Sequence, residues 1–347
     1  MRSAPPYRVV PTFFRLPPIS DADVDGHISR ALPANERKLM RAIMLQLPPH
    51  ERYNVIYHAV DGTLHANKPA LLDDVRVYQP SAGDSRKGVS VSGDTITLAP
   101  TMSIPASIYN CRNVPQSTST GGYREVASIC GTPYDYSGVY LPCRTTGDIY
   151  LHYPNNEGPY IYLGGFSTNG NAIDAGLQYG YKYDDWALFV RGSYGQVSNF
   201  TRFQCNQRIT MEFYPVNLQM VAVDASGYTT SRGFQNITQT YGLNSSDGWS
   251  PYCQACVVKR VTSLAQNGFL NFRDGSWAGI NTNTNPVIAW SNSYLGYWNG
   301  QTPARYNVST WGNINTGGYY NYPSGDPSRI LVNFINGGNE TDGIYYH

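Results

Sequence analysis

From Val89 onward the sequence divides into short alternating segments between clusters of Gly, Asn, Pro and Asp, and no part of it has a helical period. The clearest pair of segments covers residues 208–214 and 218–223, with a predicted turn at 215–217. Alternate side chains of a strand point to opposite faces. One face of the first segment carries Ile209, Met211 and Phe213, and the other carries Thr210, Glu212 and Tyr214. With a further long strand predicted at 257–264, the pattern predicts a mainly β fold, a β-sandwich or jelly roll.

The first eighty residues differ in organisation from the rest. Apolar residues recur every four positions over residues 34–47 and two prolines follow, which predicts a helix that ends there. A hairpin is predicted next, with strands at 54–58 and 63–66 around the Asp61-Gly62 turn. The C-terminal region, rich in Trp, Tyr, Asn and Gly, is either a separate β and loop region or part of the sandwich. The predicted organisation is a Pro-rich arm, a small N-terminal α+β unit, a linker, the β-sandwich and the C-terminal region, at residues 1–19, 20–80, 80–87, 88–265 and 266–347.

Charged residues make up only 14% of the chain and the formal net charge is +1. The sequence therefore lacks the broad positive field of a non-specific nucleic-acid-binding protein. Its 29 tyrosines, with many Asn, Ser and Thr residues, supply polarity without charge. The sequence contains no run of eighteen apolar residues, so no transmembrane helix is predicted. The proline-rich N-terminal segment lacks the pattern of a signal peptide. The composition favours an extracellular or cell-surface protein, exported with a removed leader or by a non-standard route.

The cysteines all fall within the predicted β region, and their number is even. This favours disulfides and an oxidising compartment, with reduced buried thiols as the alternative. The last two form a Cys-x-x-Cys pair. Without a second such pair a zinc site is disfavoured, and a disulfide, formed locally or with another cysteine, is expected. The disulfide candidates are Cys111, Cys130, Cys143, Cys205, Cys253 and Cys256.

Three segments around an Asp-Ala-Gly sequence, at residues 160–166, 171–179 and 185–189, precede the strand pair at 208–223. Over roughly residues 125–265 this arrangement resembles lectin/glucanase-type jelly rolls. More narrowly, it is similar to the secreted, uncharacterised YrpD-type proteins of Gram-positive bacteria. The resemblance implies an extracellular jelly roll, and it supplies no known catalytic residues.

Carboxylate catalysis is the first enzymatic possibility, because glycoside hydrolases with this fold need two carboxylates roughly 5 to 9 Å apart. No predicted strand pairs a glutamate with a second acid two residues away, and the Glu-x-Asp-x-x-Glu pattern of jelly-roll glucanases is absent. Glu212 is expected to be solvated on the polar face of its strand, whereas Asp174 could meet an acid from another strand. Enzymatic activity therefore stays open but disfavoured, with Asp174 and Glu212 as the candidate catalytic residues.

Asp21, Asp23 and Asp25 alternate in front of Gly26, which is the arrangement of a calcium loop. Leu32 stands where such a loop needs a bidentate acid, so an acidic turn that caps a helix is the favoured alternative. Weak or structural Ca²⁺ is the only cofactor predicted.

Tyrosine and tryptophan combine a flat apolar face with a polar edge, so they stack on sugar rings and also dominate protein interfaces. The i, i+2 spacing of the tyrosines in two segments places neighbours on one face of a strand. The leading hypothesis is a bacterial protein that binds a glycan or a cell-envelope polymer by aromatic stacking. The alternatives are a self-assembling subunit of a fibre or surface layer, which would make the partner a second copy, and a glycan-active hydrolase or lyase. The predicted ligand-binding residues are Tyr160, Tyr162, Tyr179, Tyr181, Tyr183, Trp186 and Trp298.

Overall fold

A computed structural model of the chain describes residues 16–73, 75–78, 89–92, 95–98, 122–127, 134–142, 160–180, 185–192, 195–251, 253, 256–264, 288–298, 303–307, 319–321, 330–336 and 339–344. Within these residues the fold is mostly β, as predicted, with one α-helix near the N-terminus. None of the helical segments in this part of the chain is long and apolar enough to cross a membrane. Most of the predicted arm and all of the predicted linker lie outside the described residues.

The predicted helix is confirmed as α1 (Ala34–Met44), which ends three residues before the predicted end at residue 47. Pro33 precedes its first residue, which suits proline because its fixed φ and missing N–H are tolerated at a helix start. The helix buries Met40, Ile43 and Met44 on one side. Short 3-10 turns flank it at Val24–His27, Pro49–Glu51 and Pro69–Leu71.

The described residues form twenty strands. The first ten are β1 (Val55–His58), β2 (Leu64–Ala66), β3 (Val75–Tyr78), β4 (Val89–Ser92), β5 (Thr95–Leu98), β6 (Gly122–Ala127), β7 (Tyr134–Leu141), β8 (Tyr160–Phe166), β9 (Ala172–Gly180) and β10 (Asp185–Gly192). The second ten are β11 (Gly195–Gln204), β12 (Gln207–Asn217), β13 (Met220–Thr229), β14 (Gly233–Gly242), β15 (Val257–Leu264), β16 (Ile288–Trp298), β17 (Pro303–Asn307), β18 (Tyr319–Asn321), β19 (Ile330–Asn336) and β20 (Asn339–Ile344).

The predicted N-terminal hairpin is confirmed by the antiparallel pairing of β1 with β2. Its turn contains Gly62, whose φ of +88° lies in the left-handed region that glycine adopts without steric cost. On its other edge β1 pairs in parallel with β14, with Val55 opposite Thr238. The first strands of the chain therefore extend the main sheet.

The main sheet has two halves that face each other. In one half β6, β15, β8, β9, β10 and β11 are neighbours in that order. In the other half the order is β1, β14, β13, β12, β7 and β16, with β20 and β19 beyond β16. The halves join where Phe203 of β11 lies opposite Thr229 of β13. The sheet thus curls round on itself, which gives the predicted sandwich-like architecture.

Apolar side chains from both halves meet in one large core. Ile209, Met211 and Phe213 contribute from β12, and Ile161 and Leu163 contribute from β8. The predicted alternation of β12 is confirmed, because Tyr214 belongs to a separate cluster on the opposite face, together with side chains of α1.

The turn between β12 and β13 is displaced from its predicted position. β12 continues to Asn217 with a register shift after Pro215, and the chain turns at Leu218 and Gln219. The Asn217 side chain accepts a hydrogen bond of 2.7 Å from the backbone N–H of Gln219. This local bond stabilises the turn at the position found, as asparagine side chains often do.

Candidate functional site

The tyrosines predicted to stack on a ligand are packed inside the protein. Tyr160, Tyr162 and Tyr179 are at most 5% exposed, and Trp186 is completely buried. The Tyr160 ring contacts Phe189 edge-on, with centroids 5.4 Å apart, and Tyr179 contacts Trp186 in the same way at 5.2 Å. These four residues therefore do not form an open stacking surface, which corrects the prediction for them.

The physical reason is that these strands bury side chains on both faces of the sheet. Tyr179 and Trp186 belong to the main core, and Tyr160 and Tyr162 belong to a smaller aromatic cluster with Phe189. Tyr181 and Tyr183 lie outside the described residues, and Trp298 ends β16. Ligand contact by these three stays a prediction.

One of the two candidate catalytic carboxylates lies beside this aromatic cluster. Asp174 on β9 and Lys259 on β15 are both opposite Gly164 of β8. Since Gly164 has no side chain, the lysine can reach across it, and its Nζ lies 2.8 Å from Asp174 Oδ1. A Cβ added at position 164 would lie 2.0 Å from the backbone oxygen of Ile173, so only glycine fits between these strands.

Lys259 also lies over two aromatic rings. Its Nζ is 4.7 Å from the ring centroid of Phe166 and 5.5 Å from that of Tyr162, both within the range of a cation–π interaction. The Lys259 side chain is 7% exposed, whereas that of Asp174 is 24% exposed. Solvent therefore reaches the Asp174 side chain, although its Oδ1 atom beside Lys259 is buried, while the ammonium group remains enclosed.

Gln178, half-buried, lies on the same side of β9 as Asp174, four residues further along. Gly176 separates them, so no side chain stands between the carboxylate and the amide. We call this part of the sheet the Asp174 face. Its partly exposed side chains are Asp174 and Gln178, and the buried side chains of Tyr162, Phe166 and Lys259 lie beside Asp174.

The second candidate carboxylate, Glu212, is only 4% exposed, so the expectation that it is solvated is wrong. The polar side of its strand is covered by the N-terminal segment, whose residues pack against the neighbouring Tyr214 and Tyr136. The side chains beside Glu212 and those beside Asp174 enter the main core from its two opposite sides. The core therefore separates the two acids, which do not form a catalytic pair.

Around Glu212 the structure assembles residues that are distant in the sequence. Tyr134 of β7 donates a hydrogen bond to Glu212 Oε2, and Tyr214 donates one to Glu51 Oε2. His50 Nε2 lies 3.6 Å from Glu51 Oε1. We call these five residues the Glu212 cluster: His50, Glu51, Tyr134, Glu212 and Tyr214. Burial, followed by the carboxylates of Glu51, Asp224 and Glu212, raises the pKa of Tyr214, so its phenol remains a hydrogen-bond donor.

A third cluster of polar side chains lies within the sandwich, around Arg260. Arg260 Nη2 is 3.3 Å from Glu340 Oε1, and its guanidinium carbon is 5.0 Å from the Trp290 ring centroid. Asp342 accepts hydrogen bonds from Trp290 Nε1 at 3.1 Å and from Thr262 at 2.6 Å. Burial and then Glu340 raise the pKa of Asp342.

Glu340 and Asp342 are two residues apart on β20, so their side chains are neighbours on one face of the strand. The expectation that no strand pairs a glutamate with a second acid in this way is therefore wrong. Both are 1% exposed, and Arg260 is 2% exposed. Since solvent does not reach them, we assign these residues to the stability of the core.

The three aspartates of the predicted calcium loop contact three different partners. Asp21 Oδ1 lies 2.7 Å from Arg52 Nη1, and Asp25 Oδ1 lies 3.1 Å from Arg41 Nε. Asp23 accepts a hydrogen bond from the Ser20 hydroxyl at 2.6 Å. Residues 24–27 form a 3-10 turn, and calcium binding there stays a prediction.

A disulfide joins Cys253 to Cys256, the local alternative among those considered, and Cys205 is also disulfide-bonded. Cys111, Cys130 and Cys143 lie outside the described residues.

Sequence reasoning missed Lys259, His50 and Glu51 as partners in these sites. The signal for Lys259 was a basic pair, Lys259-Arg260, inside an apolar strand, which requires a partner on each face. No comparable signal exists for His50 and Glu51, because they meet Glu212 only through the tertiary fold.

No protein-family model and no curated protein sequence matches the chain. Among solved structures, scytalido-glutamic peptidase with a peptide-based transition state analog is similar over 65% of this chain and 98% of its own, at 9% identity and a TM-score of 0.40. SCP-B, a member of the Eqolisin family of peptidases in complex with the tripeptide Ala-Ile-His, gives the same coverage, identity and TM-score. A Bacteroides ovatus mixed linkage glucan GH16 protein in complex with the G4G4G3G product is similar over 56% of this chain and 81% of its own, at 8% identity and a TM-score of 0.25. These TM-scores lie below 0.5, so the site is interpreted from this chain's own residues.

Proposed function

We propose that the chain is a binding protein and that the Asp174 face contacts its ligand. The observation that carries this proposal is the environment of Asp174: a partly exposed carboxylate fixed by an enclosed lysine that lies on two aromatic rings. The ion pair orients this carboxylate, so it can accept hydrogen bonds from ligand hydroxyl groups.

The chemistry of the surface favours a neutral, hydroxyl-rich polymer, that is, a carbohydrate. The ammonium group of Lys259 already neutralises Asp174, so a strongly charged ligand would gain little from this face. Gln178 adds an amide that can donate and accept hydrogen bonds, about 13 Å along the strand from Asp174. This spacing suits contacts to two different units of an extended polymer.

Binding explains the arrangement better than hydrolysis does. A glycosidase of the common type needs an acid and a second carboxylate across one sugar ring. Here Asp174 is paired with an ammonium group, and Glu212 lies on the far side of the core. The disulfide supports an extracellular location within the same proposal. The fibre subunit and the glycan-active enzyme stay predictions.

The test is binding to a panel of soluble neutral and acidic polysaccharides, measured by affinity electrophoresis and then by calorimetry with the best ligand. We expect Asp174→Asn to weaken binding about 10-fold or more, because a hydrogen bond to a charged group contributes about 1.5–3 kcal/mol. Asp73→Asn is the matched control, since it removes the same charge from an exposed residue outside the Asp174 face. Unchanged affinity in Asp174→Asn, or no binding by the wild type to any neutral polysaccharide, would overturn the proposal.

A further inference from the structure

The Glu212 cluster contains an imidazole and two carboxylates whose potential metal-ligating atoms converge. One ligand atom each from His50, Glu51 and Glu212 lies within 4.8 Å of the other two. Atoms that bind a common zinc ion at about 2.0–2.2 Å lie roughly 3–4 Å apart. A movement of about 1 Å by these side chains would therefore place all three on one ion.

The backbone that carries His50 and Glu51 is held from several directions. Pro48 and Pro49 restrict the 3-10 turn, in which Glu51 N–H donates to the oxygen of Pro48 at 2.9 Å. The backbone oxygen of Glu51 accepts a bond of 2.7 Å from the Thr238 hydroxyl of β14. Glu212 comes from the middle of β12. Ligands on such fixed elements can be positioned with the accuracy that metal binding needs.

Each carboxylate is also oriented by a phenol. Tyr214 donates to Oε2 of Glu51, and Tyr134 donates to Oε2 of Glu212. The two rings are neighbours, with centroids 5.9 Å apart. Hydrogen bonds to the second oxygen of a carboxylate are how proteins fix the orientation of metal-binding acids.

The charges around the cluster favour a cation. Glu51, Glu212 and Asp224 all contribute negative charge at the buried Tyr214 phenol. Asp224 accepts hydrogen bonds from the Asn236 side chain at 2.7 and 2.8 Å. The buried guanidinium of Arg52 bonds to the backbone oxygens of Leu47, Ile19 and Leu45 and to Asp21. A divalent cation bound by both Glu51 and Glu212 would offset the cost of burying two carboxylates close together.

We propose that His50, Glu51 and Glu212 bind one divalent transition-metal ion, for which Zn²⁺ is the best match, and that this ion ties the N-terminal segment to β12. The imidazole favours zinc over magnesium and calcium, whose preferred ligands are all oxygens. Three protein ligands leave one tetrahedral position for water, and the His50 side chain, 23% exposed, places the cluster within reach of solvent.

The experiment uses the full chain, stripped with a chelator and then dialysed against ZnCl₂. Metal content by mass spectrometry is expected to show one equivalent of zinc, and added zinc is expected to raise the melting temperature. His50→Gln and Glu212→Gln are each expected to lower zinc affinity by about 100-fold or more, since loss of a mere hydrogen-bonding partner of a ligand costs 10–100-fold. Tyr134→Phe, which removes such a partner, is expected to lie in that smaller range.

His65→Gln is the matched control, because His65 lies 3.7 Å from Glu36 and so forms another histidine–glutamate pair of the chain. It should bind zinc as the wild type does. If Glu212→Gln fails to fold, His50→Gln decides, because its side chain is only partly buried. The proposal is wrong if the wild type retains no stoichiometric zinc, or if a folded His50→Gln chain binds zinc with unchanged affinity.

Discussion

Asp135 is a buried carboxyl group whose titration should be visible in the stability of the whole chain. Burial raises its pKa to about 8, although Arg260 and Ser137 act in the opposite direction. The unfolded chain loses this proton near pH 4. Between about pH 4 and 8 the folded state therefore binds more protons, and the free energy of unfolding falls as the pH rises through this window.

We expect Asp135→Asn to remove this dependence, which amounts to at most about 1.4 kcal/mol per pH unit. The measurement is urea unfolding of both chains at pH 5, 6, 7 and 8. The stability of the variant relative to the wild type should rise with pH. A difference that does not change with pH would show that Asp135 is ionised in the fold.

His58 should produce the opposite dependence. It is 3% exposed and contacts Tyr241 edge-on with centroids 4.9 Å apart. Burial lowers its pKa to about 4, partly opposed by Asp61. The unfolded chain therefore binds a proton at this residue between about pH 6.5 and 4 while the folded chain does not, so stability falls as the pH falls through that range.

For His58→Gln we expect a smaller loss of stability between pH 6.5 and 4.5 than in the wild type. Melting temperatures in that interval provide the measurement, and His27→Gln, which changes a half-buried histidine, is the comparison. An identical loss in His58→Gln and the wild type would contradict the assignment.

At the level of elements, the contact between β8 and β9 depends on glycine. A Cβ added to Gly176 would lie 2.2 Å from the Ile161 oxygen and 2.5 Å from the Tyr162 Cα. Both are backbone atoms, so the strands would have to separate. We expect Gly176→Ala to lower the free energy of unfolding by about 3 kcal/mol, at the upper end of overpacking effects. Gly26→Ala, where the added Cβ meets no atom within 4 Å, should change it by far less. Equal effects of the two substitutions in urea unfolding would rule out close strand contact as the cause.

The Cys253–Cys256 disulfide precedes β15, the strand that carries Lys259 and Arg260. It closes a short loop, so the chain-entropy model gives a stabilisation of about 2 kcal/mol. The double substitution Cys253→Ser, Cys256→Ser should lower the free energy of unfolding by about this amount in non-reducing urea titrations. In the presence of reductant the variant and the wild type should converge, and a difference that persists would point to lost packing instead.

The sequence was informative where a pattern is local. The alternation of β12 predicted which side chains enter the core, and the spacing of apolar residues predicted that α1 exists, although α1 ends at Met44 and not at the prolines. It could not predict that Glu212 is buried, because the residues that cover its face precede it by about 160 positions or more and reach it through tertiary contacts such as the β1–β14 pairing. For the same reason the tyrosines of β8 gave a misleading prediction. An i, i+2 pattern shows that two residues share a face but not whether another layer covers that face.

At the scale of the whole molecule, the N-terminal segment and the sandwich share many contacts. Asn54 donates a hydrogen bond of 2.8 Å to the Asn236 oxygen, Thr238 bonds to the backbone of Glu51, and β1 continues the sheet at β14. Domain boundaries near residues 80–88 stay a prediction. These contacts lead us to expect that residues 20–80 unfold together with the sandwich.

Met44→Ala provides the test, because the side chain of Met44, the last residue of α1, is completely buried in the cluster that contains Tyr214. Removing a buried methionine side chain usually costs about 2–5 kcal/mol. If the chain unfolds as one unit, hydrogen exchange of the β8 and β9 amides should accelerate by the full equilibrium amount, although these strands lie on the other side of the core. Lys38→Ala, on the exposed side of α1, should leave those amides protected.

If Met44→Ala accelerates exchange only in residues 16–73, the N-terminal segment is an independent folding unit, and a metal ion between its 3-10 turn and β12 would then join two domains.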